Sequence, residues 1–201
     1  MKRVVKMIKS NLAVLMAERG LKIADVYNDT GISKTTLMAL SENKGKGIQF
    51  ETIDKLCNYL NVSPQDFFIY SPFLIEYTQD NNSLFLRLIS GEKINNFYFN
   101  FWVFKDSELD FDTKINYAAD PSKKYDFYLA IDVEDGNTEL EKIYNNLDII
   151  FKRELVNNIF ERSIDWFINN KKIDSANCSV NLEIKNIHLY REIKIKDGKL
   201  I

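Results

Sequence analysis

The sequence predicts an α+β protein in two parts: a five-helix, all-α domain over residues 1–70, then an α+β domain over 71–201 whose antiparallel sheet packs on one long helix. Three observations predict it. Two short amphipathic segments meet at Gly31, where the missing Cβ suits a left-handed corner, and the second opens on Ser33, a good helix cap. Between residues 73 and 133 apolar side chains come in short runs broken by polar turns, as strands do. From 138 to 168 they recur every three or four positions, as on a buried helix.

In the first part the core is read from Leu12, Leu15, Met16, Val26, Ile32, Leu37, Leu40, Ile53, Leu56 and Leu60. The segment LNVSPQDFF at 60–68 supplies a short last helix, and Tyr70-Ser71-Pro72 is the expected joint. The second part starts with strands at 73–78 and 83–90, separated by the polar turn Gln79-Asp80-Asn81-Asn82. A third, 94–104, carries Phe97, Phe99, Phe101 and Val103 on one face and Tyr98, Trp102 and Phe104 on the other, so it belongs inside the sheet. Residues 105–124 are charged and irregular, and 125–133 returns to strand. Thr138 and Glu141 form a capping-box pattern at the head of the long helix, after which strands at 178–185 and 187–196 close the chain.

The turn TGIS at 30–33, between a short helix and one opening on Ser33, together with the apolar positions above, resembles the Cro/C1-type helix-turn-helix family over about the first 70 residues. The resemblance implies a reader of double-stranded DNA. Its recognition helix would present Lys34, Thr35, Met38 and Ala39 to base edges, with Lys22, Ser33, Thr36, Lys44 and Lys46 on phosphates. Two positions depart from the family pattern: Ile23 stands where a phosphate-touching Gln is usual, and Tyr27 where a small Ala is usual. The expected protein is a transcriptional repressor of a phage or mobile element that binds a pseudo-palindromic operator as a homodimer joined through residues 71–201.

Charge agrees with that division. The net charge is −2, but residues 1–70 hold 10 Lys or Arg against 7 Asp or Glu, giving +3, and the remainder holds 17 against 22, giving −5. Lys2, Arg3, Lys6 and Lys9 add to the basic side and are expected on phosphates. No apolar run approaches the roughly 20 residues that span a bilayer and nothing resembles a secretory leader, so a soluble cytoplasmic protein is expected. Cys57 and Cys178 lack metal-ligand spacing and read as buried small hydrophobes, and no cofactor or metal is expected.

Enzymatic activity is not expected. The Ala-Gly or Cys-Gly bond that a self-cleaving repressor cuts is absent, and His188 alternates with apolar neighbours as a surface or rim residue. The aromatic stretch 98–104 contains no Lys or Arg, which favours core or an oligomer interface over base stacking. Asp106, Glu108, Asp110 and Asp112 read as a solvated acidic loop that lacks the Gly turn and distal Glu of a calcium loop. A second reading makes them a protein-partner surface that imitates DNA phosphates. The domain order is similar to that of anti-CRISPR proteins that fuse an autoregulating helix-turn-helix to a nuclease-inhibiting domain.

Overall fold

The computed structural model describes residues 3–5, 7–80 and 83–201, with side chains from Met7 onward. Lys2, Lys6, Asn81 and Asn82, and the side chain of Arg3, therefore lie outside the described residues. The chain divides into two compact units, Lys6–Pro72 and a second made of Met1–Val5 with Phe73–Ile201.

The first unit runs β2(Ile8–Ser10), α1(Leu12–Glu18), α2(Ile23–Thr30), α3(Lys34–Ser41), α4(Phe50–Leu60), α5(Pro64–Phe67) and β3(Phe68–Tyr70). It is not all-α, because β2 and β3 pair antiparallel, Ile8 opposite Tyr70 and Ser10 opposite Phe68. The physical reason is local: Phe68-Ile69-Tyr70 is aromatic and β-branched, better suited to a pleat than to another helical turn. Leu12, Val26, Leu37, Leu56 and Phe67 are fully buried in one core, against which Ile23, Ile53 and Phe68 pack. Ser63 caps α5, and the Asp66 carboxylate accepts from the Ser63 hydroxyl and from its backbone N–H, which together hold the Asp66 carboxyl below the usual range.

The second unit is an eight-stranded sheet in the order β1-β4-β5-β6-β7-β8-β9-β10. Its strands are β1(Arg3–Val5), β4(Leu74–Gln79), β5(Ser83–Ser90), β6(Lys93–Lys105), β7(Phe127–Val133), β8(Ala176–Ile184), β9(Ile187–Lys196) and β10(Lys199–Leu200). The expected antiparallel sheet is in fact mixed, because β7 and β8 pair parallel. Between them lie α7(Asn137–Asn146) and α8(Ile149–Lys171), and a chain that leaves one strand through helices across a sheet face returns in the same direction. The single long helix expected over 138–168 is these two, broken where Leu147 turns extended and Asp148 caps α8 by accepting from the Ile150 N–H at 2.9 Å. Gly136 (φ +80), not Thr138, occupies the cap of α7, and a Cβ there would meet the Phe97 ring at 3.1 Å.

The sheet has one dry face and one mixed face. Leu84, Leu86, Leu88, Phe97, Phe99, Ile131, Cys178, Val180 and Leu182 alternate along their strands onto one side and are buried. Leu155, Ile159 and Phe167 of α8 are fully covered. Each such side chain contributes about 1.5–3 kcal/mol by leaving water. Ring contacts of Phe101 with Trp166 and of Phe127 with Phe167 fix this packing. Within residues 105–124, expected to be irregular, α6(Phe111–Tyr117) crosses the other face. The ring of Tyr117 stacks on Phe104 at 5.7 Å, and the buried Ser179 hydroxyl holds the end of α6 through Tyr117 O and the Ala119 N–H. No described helix is long and apolar enough to cross a membrane.

Candidate nucleic-acid interface

The corner between α2 and α3 is built from four residues. Thr30 donates its hydroxyl to Val26 O at 2.6 Å and accepts from the Ile32 N–H, while Gly31 turns left-handed at φ +70 and donates to Tyr27 O. Nothing lies within 4 Å of a Cβ built on Gly31, so its requirement is conformational, not steric. Ile32 enters the core, and Ser33 caps α3 by accepting from the Thr36 N–H at 3.2 Å. Leu37 and Leu40 then point inward, which turns the opposite stripe of the helix outward.

That outward stripe holds Lys34, Thr35, Thr36 and Met38, all exposed, with Met38 at 49%. Ala39, expected among the base readers, is half-buried and lines a cavity of about 280 Å³ behind the helix, and its carbonyl accepts from the Lys44 and Gly45 N–H groups. The Ser33 and Thr36 hydroxyls are 2.9 Å apart, so one donates to the other. Whichever does, one hydroxyl proton is left over and free to reach a phosphate oxygen.

The cations differ in readiness. Lys46 is exposed and has no ion-pair partner among the described residues, whereas Lys44 lies 2.8 Å from the Glu42 carboxylate, both side chains in solvent. Lys22 is exposed at the head of α2, where its backbone N–H donates to Asp25. Lys9, expected on a phosphate, is only 6% exposed and cannot serve as one without unpacking.

Two contributors escaped sequence reasoning. The departure at Tyr27 has a use, since its exposed ring lies 5.1 Å beneath the Lys34 ammonium and restrains that side chain at the start of α3. Asn43, left-handed at φ +56, accepts from the Ser10 N–H at 2.7 Å and donates to Ser10 O at 3.1 Å, clasping β2 to the end of the recognition helix. The other departure, Ile23, packs against the core and offers no polar group to a phosphate. On α4, Tyr59 donates to Asp29 at 2.7 Å, which fastens α4 to α2 and pushes the phenol up.

In the second unit the acidic run is largely occupied with its own backbone. Asp106 pairs with Lys114 at 2.9 Å, Glu108 accepts from the Lys105 N–H, and Asp110 caps α6 through the Thr113 N–H. These contacts hold the Asp106 and Asp110 carboxyls below the usual range, by the Lys114 ammonium and by the Thr113 N–H respectively. Asp112 stands exposed in the first turn of α6. His188 is exposed on β9, opposite Glu183 of β8.

A left-handed corner, a capped second helix and an outward stripe of Lys, Thr and Met are the parts of a helix-turn-helix reader, and residues 6–72 are of that class. Residues 11–72 match the sequence model of the Cro/C1-type helix-turn-helix DNA-binding domain. The chain is also similar to an uncharacterized HTH-type transcriptional regulator, YozG of Bacillus subtilis (strain 168), at 26% identity over 77 residues, 38% of this chain and 83% of that protein. No solved structure matches.

Proposed function

We propose that this protein is a sequence-specific transcriptional repressor that reads a pseudo-palindromic operator with two copies of α3, brought together by the second unit. The observation that carries the reading is the outward stripe of α3: Lys34, Thr35 and Met38 are exposed beside a capped N-terminus while Leu37 and Leu40 anchor the helix behind. One reader offers only a few base contacts, each worth about 1–3 kcal/mol, so a useful specificity ratio calls for two readers about one DNA turn apart. The match to a DNA-binding domain and the likeness to a transcriptional regulator support the reading.

The test separates reading from gripping. With operator DNA selected from the region upstream of the protein's own coding sequence, Lys34→Ala should cost about 1–3 kcal/mol and relax discrimination at one base pair, while Lys46→Ala should weaken all sequences alike. Binding is measured across single-base operator variants, and an unchanged specificity profile in Lys34→Ala sinks the assignment.

A further inference from the structure

The face of the sheet opposite α8 carries a cavity of about 270 Å³ beside α6. Trp102 and Phe104 of β6 and Tyr117 of α6 give it aromatic walls, while Asp132 of β7 and Glu183 of β8 bring two carboxylates to it. A further polar contributor is Asn181, a residue only 3% exposed whose side-chain oxygen is buried with no hydrogen-bond partner. A buried amide oxygen left unpaired costs about 1–3 kcal/mol, which a ligand that donates a hydrogen bond would recover.

The charge of the lining is one-sided. Asp132, Glu183 and the Asn181 oxygen are all acceptors, and no Lys or Arg is among the lining residues. Glu183 has no ion-pair partner among the described residues, and Asp132 accepts one bond, from the Trp102 indole N–H at 2.6 Å. That bond fixes the indole, 53% exposed, and leaves the second Asp132 oxygen for another donor. Two carboxylates and one amide oxygen beside aromatic rings suit an organic cation better than a hard metal ion, which takes six or more oxygen ligands. A guanidinium meets each requirement: it is planar enough to lie on an indole, carries positive charge opposite two carboxylates, and has five N–H donors and no acceptor.

We infer that the second unit binds a small guanidinium compound in this cavity, stacked on Trp102, with its donors shared among Asp132, Glu183 and Asn181. Neither the site nor its test depends on DNA binding. The aromatic floor supplies orientation, and the carboxylate pair supplies selection for charge.

Agmatine, a guanidinium with a terminal ammonium, is the probe, with n-butylguanidine, which lacks that ammonium, in parallel; both are titrated into the full-length protein carrying Trp166→Phe, so that Trp102 is the sole tryptophan, with calorimetry on the wild type alongside. Agmatine should give a saturable change in indole fluorescence. Asp132→Asn, which keeps an acceptor for the indole, and Glu183→Gln should each weaken binding about tenfold. Asn181→Leu removes the buried oxygen and should weaken it several-fold, whereas Asp165→Asn on the exposed side of α8 should leave it unchanged. Circular dichroism melting identifies any variant that has not folded, and Glu183→Gln alone then decides. The inference is overturned if neither agmatine nor n-butylguanidine produces a saturable signal, if N-butylurea, the neutral isostere of n-butylguanidine, binds as tightly as it does, if potassium chloride at matched ionic strength reproduces the change, or if a folded Glu183→Gln binds like wild type.

Discussion

Under the proposed reading, Glu42 opposes the grip of Lys44 on a phosphate. Its carboxylate holds Lys44 at 2.8 Å in solvent, and an exposed pair of this kind is worth only about 0.2–1 kcal/mol. A phosphate competes readily for the lysine, yet the acid remains near the DNA surface as a like charge. Glu42→Gln should therefore tighten binding to every sequence alike, without altering discrimination, and should steepen the dependence of affinity on salt; equal affinity for the two proteins in low salt would show that Lys44 takes no part in grip. At this scale the sequence was read unevenly. Lys34, Thr35 and Met38 follow from their distance to Ser33 and are exposed, but the burial of Ala39 and Lys9 depends on the loop after α3 and on β2, which only the fold brings into view. Tyr27 beneath Lys34 is a contact between two helices and leaves no trace in spacing along either one.

Among elements, corners and caps repay comparison because two glycines with positive φ stand in opposite surroundings. Gly31 has open space around it, so Gly31→Ala should destabilise the reader by about 1–2 kcal/mol, the backbone cost alone. Gly136 adds the Phe97 ring at 3.1 Å, and Gly136→Ala should cost the second unit more. Thermal unfolding of the two variants gives the order, and a larger loss at Gly31 would contradict it. The strands 83–90 and 187–196 were legible to the residue, since alternation and polar turns mark both ends. The break between α7 and α8 was not, because Leu147 is apolar and fits either periodicity, while Asp148 looks like any exposed helical acid until it is seen to cap. Nor was α6, whose seven residues offer a single i,i+4 apolar pair, Phe111 and Ile115, too short a stripe to mark a helix and one the fold leaves exposed.

At the scale of the molecule, the proposed dimer makes a distinct prediction. Residues 6–72 close their own core, so the isolated reader should keep its fold yet lose much of its affinity for a two-half-site operator. Sedimentation of the full-length protein at operator-saturating concentrations checks the cause, and a monomer there would end the dimer proposal. The parallel pairing of β7 with β8 was beyond the sequence, because alternation looks the same whichever way a neighbour runs. The cavity beside α6 was equally so: its lining comes from positions spread between 102 and 183, brought together by the register of three strands and by the packing of α6 on them.

The pairing of Arg3 with Tyr77 and of Val5 with Ile75 has a consequence for how this chain is organised as a gene product. The DNA reader is not an appendage at one end. It is an insert, lodged in the loop of what is otherwise a β1–β4 hairpin, and the second unit is its host, with a strand on each side of the insertion. Cutting the chain at 72 would strip the host of β1 and bare the edge of β4, an invitation to pair with another chain. Excising 6–72 and joining Val5 to Phe73 through a turn of about two to four residues should instead yield a soluble, cooperatively folding host, because the register already brings the two ends side by side. If the spliced chain aggregates as readily as residues 73–201 alone, β1 is dispensable and the insertion is one of sequence order only.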